Sequence, residues 1–91
     1  MKRLVTSPKA LGAAIKMQRE LKSLTQTDAG RQFKLAQSTL SDVERGNPNT
    51  HINTIFRILA ALDLEIMVCA KRDDNNVLAK EDDNEWEKSN Y

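Results

Sequence analysis

The chain has one cysteine, one histidine, one tryptophan, one tyrosine and two phenylalanines in 91 residues. A single thiol, Cys69, excludes a disulfide within the chain and fits a reducing compartment. His51 and Cys69 cannot build a zinc site between them, because such a site wants about four ligands. Gly12, Gly30 and Gly46 are scattered rather than clustered, so there is no glycine-rich loop to cradle a phosphate. No apolar run approaches the roughly 20 residues of a membrane span. The N-terminus also lacks the charged-then-apolar pattern of a signal peptide. Aromatics are 4% of the chain, so its core must be aliphatic. One domain's worth of residues leaves no room for the second layer of an enzyme. These absences predict a small, cytoplasmic, non-enzymatic binding module with no cofactor and no metal.

The formal net charge of +1 hides an asymmetry. Residues 1–72 hold 12 Lys/Arg against 6 Asp/Glu, and residues 73–91 hold 2 Lys against 7 Asp/Glu. A basic body suits a polyanionic partner, with an affinity that falls steeply as salt rises. The acidic segment has no glycine and few apolar residues, so it cannot bury enough surface to fold alone. The expected organisation is a folded domain over 1–72 and an acidic, disordered tail over 73–91. Acids in such a tail have no pocket to tune them for catalysis. Trp86 stands out there, flanked by Glu85 and Glu87. Tryptophan is over-represented among residues that anchor interfaces, so Trp86 is the expected partner anchor, with Val77 and Leu78 as a weaker second contact. The plainer reading is an incidental exposed aromatic.

The body reads as helices. Ser7-Pro8 is a helix start, with Ser as N-cap and Pro at the first helical position. The helix should run to about Lys22 and bury Leu11, Ala14, Ile15 and Leu21. Thr25 followed by Asp28 has the spacing of a capping box, with Leu24 and Ala29 as its hydrophobic staple. A further helix is expected from Gln37 to Gly46, ending on a left-handed glycine. Its Leu40 and Val43 point inward, and Gln37, Ser38, Ser41 and Asp42 form the wet face. After the Asn47-Pro48-Asn49 loop, Thr50 is the expected N-cap of a last helix that buries Ile52, Ile55, Phe56, Leu59 and Leu62. Leu64–Cys69 is short, rich in β-branched residues and bounded by a polar run, which predicts a strand with Cys69 buried in it.

A helix offering short amides and hydroxyls on one face is what the DNA major groove accepts; an ordinary amphipathic helix with a solvated face would share the pattern. The stretch LTQ…QSTLSDVERG resembles the helix–turn–helix of the Xre/Cro repressors, with Leu24, Thr25, Gln26, Gln37, Leu40, Ser41, Glu44 and Gly46 in register. Three positions depart from that family. Its Leu-Ala pair is Ala29-Gly30 here, which predicts looser helix packing. The turn glycine is Lys34, a residue then required to take a positive φ. The usual N-cap serine is Ala36, leaving the recognition helix without a side-chain cap at a cost of about 1 kcal/mol. The resemblance implies an all-α, lambda-repressor-like bundle of four to five helices.

Roles on DNA follow by position. Gln37, Ser38 and Ser41 are the expected readers of base edges, and Thr39 either offers a methyl to thymine or faces the DNA backbone. Thr25 and Gln26, at a helix N-terminus, are expected on phosphate, as are the cations Lys34 and Arg45. Asp42 would be repelled by phosphate unless it accepts from cytosine N4. Glu44 is expected to face inward or to pair with Arg19 or Arg31.

A lone strand leaves an unpaired edge, which invites a second copy. The closed solution is a two-fold homodimer in which the strands pair through Leu64, Ile66, Met67 and Val68. Pairing with Lys2–Thr6 of the same chain is the alternative. A dimer would read a palindromic double-stranded operator with half-sites about 34–36 Å apart. Helix–turn–helix, then TIFRILAALDLEIMVCAK, then an acidic tail ending in Glu-Trp, is similar to the HipB-like antitoxins over about Ser7 to Trp86. That resemblance implies an intersubunit β-lid at Leu64–Cys69, repression of the chain's own operon in the nucleoid, and restraint of a HipA-type Ser/Thr kinase toxin. A plain Xre-family repressor with no toxin partner is the alternative function.

Overall fold

The computed structural model describes residues 1–71, in which four helices run as α1 (Pro8–Leu21), α2 (Gln26–Phe33), α3 (Gln37–Glu44) and α4 (Ile52–Ala61). Residues 72–91, with Val77, Leu78 and Trp86, lie outside the described residues. No helix among the described residues is long and apolar enough to cross a membrane.

Local signals fix the helix starts. Ser7 Oγ accepts from the Ala10 amide at 3.0 Å, with Pro8 in the first helical turn. Thr25 Oγ1 accepts from the Asp28 amide at 3.0 Å, while the Asp28 carboxylate lies 3.9 Å from Arg31. Ala36 starts α3 with no side-chain bond, as expected. The start of α4 differs from expectation. Its cap is His51, also without a side-chain bond, and not Thr50.

All four helices end alike. The residue just past the last turn adopts a left-handed φ: Ser23 (59°), Lys34 (58°), Gly46 (89°) and Asp63 (58°). The next amide then reaches back to the helix: Leu24 to Arg19 O (3.1 Å), Leu35 to Gly30 O (2.8 Å), Asn47 to Asp42 O (3.0 Å) and Leu64 to Leu59 O (2.8 Å). These are Schellman closures, which satisfy carbonyls the helix leaves open. Three of them are made without glycine, so packing holds those residues in αL against their preference. Leu24, Leu35 and Leu64 supply the apolar contact of this motif, since each packs on the core.

The core is aliphatic around one ring: Ile15 from α1, Ala29 and Phe33 from α2, Leu40 and Val43 from α3, Ile55, Ile58 and Leu59 from α4, and Leu62 after it. Three expected core residues are exposed instead. Leu21 is 68% exposed, because the residue one turn beyond Ile15 on the buried face is Arg19. Ile52 and Phe56 are 67% and 52% exposed. Helix α4 buries Ile55, Ile58, Leu59 and Leu62 (i, i+3, i+4, i+7), and Ile58 and Phe56 lie too far apart around the helix to share that face.

The backbone from Leu64 to Lys71 makes no strand within the single chain, and no ladder joins it to Lys2–Thr6. A strand is a paired element, and one copy offers this segment no partner. Cys69 is accordingly exposed, not buried. Lys22 and Asp63, both at helix ends, form an exposed ion pair at 2.8 Å. The hydrogen bond from Lys22 holds the Asp63 carboxyl below its usual range. Its small contribution is therefore present above the ordinary carboxylate pKa and lost as pH falls through the lowered value.

Candidate nucleic-acid interface

Helix α3 is packed against both α1 and α2. Leu40 and Val43 anchor its inner side. Gln37 and Ser38 stand exposed on the outer side, with Thr39, Ser41 and Asp42 half-buried beside them. Buried Gly30 sets the approach of α2 to the turn, since a Cβ there would meet the Leu35 carbonyl at 3.0 Å. The glycine therefore tightens this junction, contrary to the looser packing that its sequence suggests.

Beneath the outer face runs a polar chain through three helices. Arg19 of α1 donates to Glu44 of α3 through Nε at 2.6 Å and Nη2 at 3.0 Å, and through Nη1 to the Leu24 carbonyl at 2.6 Å. Both side chains of this pair are buried. Glu44 Oε1 also accepts from Gln26 Nε2 at 3.0 Å, and Gln26 Oε1 accepts from Gln37 Nε2 at 3.3 Å. The hydrogen bond to Glu44 raises the Arg19 pKa above its already high value and outweighs burial, so the guanidinium stays charged. A bidentate, charge-assisted pair is directional. It fixes Gln26, and Gln26 fixes Gln37.

Gln26, expected on phosphate, has a second role here. Its amide is engaged at both ends, so it orients Gln37 as well as facing the surface. Thr25 keeps its hydroxyl proton available, because its oxygen accepts the cap bond. Lys34 is exposed at the αL turn, while Arg45 is paired with Asp42 one turn back. That pairing removes Asp42 as a free anion on the face and ties up the Arg45 cation. One residue was missed in the sequence: Arg57 of α4 donates through Nη2 to the carbonyls of Phe33 (3.0 Å) and Lys34 (3.4 Å), clamping the end of α2. Its signal is a lone cation within the apolar run of α4, favourable at another helix's C-terminus.

Lys34 yields a prediction with two opposed parts. Lys34→Gly relieves the left-handed conformation and should raise stability by about 1 kcal/mol in thermal unfolding. The same change removes a cation from the face, and the salt dependence of DNA binding should flatten by about one charge.

A helix–turn–helix family model matches residues 15–67. Antitoxin HipB of Escherichia coli O6:H1, strain CFT073, is 30% identical over 82 residues, covering 90% of this chain and 87% of that protein. The chain belongs to the HipB-like antitoxins of the helix–turn–helix family. Solved members of this HipB-like group share the fold. A HipB–O4 20mer complex superposes with a TM-score of 0.71 at 30% identity, covering 78% of this chain and all of the other. A HipA–HipB–O2–O3 complex gives the same TM-score, identity and coverage.

Proposed function

We propose that the chain is the antitoxin of a HipA-type kinase module: a cytoplasmic, nucleoid-associated homodimer that represses its own operon and binds the kinase, with no catalysis of its own. The observation that carries the DNA half is the buried Arg19–Glu44 pair, which reaches through Gln26 to hold Gln37 at the start of α3. The partner half rests on the match, over 78% of this chain, to the HipB of a HipA–HipB–O2–O3 complex. Gln37, Ser38, Thr39 and Ser41 read base edges. Thr25, Lys34 and Arg45 contact phosphate, Arg45 after leaving Asp42, and Gln26 contributes from beneath. Trp86 anchors the kinase.

Gln37→Ala should cost about 1–3 kcal/mol in operator affinity and relax preference at one base position. Competition between operator variants measures this, and an equal loss on every sequence would make Gln37 a positioning residue. The kinase reading is tested by capturing proteins from native cells with the full chain and with a copy ending at Arg72. A kinase held by the full chain and weakened by truncation is the expected result. Intact DNA binding with no protein partner in either sample would leave a plain repressor.

A further inference from the structure

Two segments outside the helices wall a groove of about 1430 Å³: Met1–Thr6 on one side and Leu64–Lys71 on the other, with Leu11, Ala14 and Leu59 lining it as well. No backbone hydrogen bond joins the two walls. The apolar face of the C-terminal wall runs off the body: Leu64 packs on the core, Ile66 is 40% exposed and Val68 77%. On the N-terminal wall Leu4 is 89% exposed. A groove between two segments whose backbones are unpaired with each other can take one more strand.

Resting on the dimeric reading above, we propose that Met1–Thr6 is an interface element, and that the slot between it and Leu64–Lys71 takes the Leu64–Cys69 segment of a second copy. The two-fold axis makes this arrangement close on itself. Each C-terminal strand pairs with its mate on one side and with the partner's N-terminal segment on the other, giving four strands in the order arm, strand, strand, arm. Charge favours this occupant. Antiparallel pairing brings Glu65, near the start of one strand, toward Lys71 at the end of the other, whereas parallel pairing would set like against like. The outer strands carry Lys2 and Arg3, and cations on an edge discourage further addition. The interface therefore stops at two chains.

Sedimentation of the full chain beside Leu4→Glu and a copy lacking residues 2–6 tests this. With Leu4 89% exposed in the single chain, its substitution leaves the helical fold intact, which circular dichroism checks. The expected result is a wild-type dimer, with a dissociation constant raised at least about tenfold by Leu4→Glu, since a two-fold interface loses the contact twice. The deletion should weaken it at least as much. Dimerisation of both variants at the wild-type strength overturns the role of the N-terminal segment while leaving the dimer standing. A wild-type chain that is monomeric at the concentrations where it binds DNA overturns the dimeric reading itself, and this inference with it.

Discussion

Glu44→Ala is expected to cost about 3–5 kcal/mol of folding stability, because it leaves the buried Arg19 guanidinium without its counter-charge. Small domains hold only about 5–15 kcal/mol in all, so the loss is a large share of the fold's stability. Denaturant unfolding monitored by circular dichroism reads the loss. The paired change Arg19→Met with Glu44→Leu should behave differently. It removes both charges and fills the space with aliphatic side chains, which in buried pairs is often neutral or better for stability. Its fold should survive while its operator affinity falls, because Gln26 loses the acceptor that orients it and Gln37 loses its fixed neighbour. A double variant that binds operator DNA as tightly as the wild type would show that the pair serves stability alone.

Gly12→Ala should also be severely destabilising, by about 3 kcal/mol. A Cβ at this position would collide with the Val43 carbonyl and come within 2.7 Å of the Glu44 carbonyl. Both are backbone atoms of α3 and cannot rotate aside. The close approach of α1 and α3 is what brings Arg19 within reach of Glu44, so the substitution also strikes the polar chain. The melting temperature should fall and operator affinity should drop in the fraction that remains folded. A melting temperature unchanged in Gly12→Ala would mean that the two helices are not held at this spacing.

Much of the DNA-facing half was legible in the sequence. Ser7, Thr25 and Gly46 announce helix boundaries through local chemistry, and the structure places them so. Lys34 at the turn and the uncapped Ala36 were readable because a known motif shows what stands there usually. The partner of Glu44 was narrowed to Arg19 or Arg31, and geometry selects Arg19. The rest depends on packing rather than on local signals. Ser23 and Asp63 carry no glycine to mark a left-handed ending. Gly12 looks like an ordinary helix glycine until α3 lies across it. The apolar residues of α4 fit two registers, and only the position of the other helices picks the one that buries Ile58 and exposes Ile52 and Phe56. The strand expected at Leu64–Cys69 is not formed, because past the Leu64 amide no backbone segment of the described residues hydrogen-bonds to it.

Footprinting of the DNA upstream of the chain's own coding sequence, with the wild type and Gln37→Ala side by side, tests whether α3 reads an operator. Protection of two symmetric half-sites is expected, their centres about 34–36 Å apart or a multiple of that, and much weakened by Gln37→Ala. Protection no better than on unrelated DNA, or a footprint indifferent to Gln37, would contradict it.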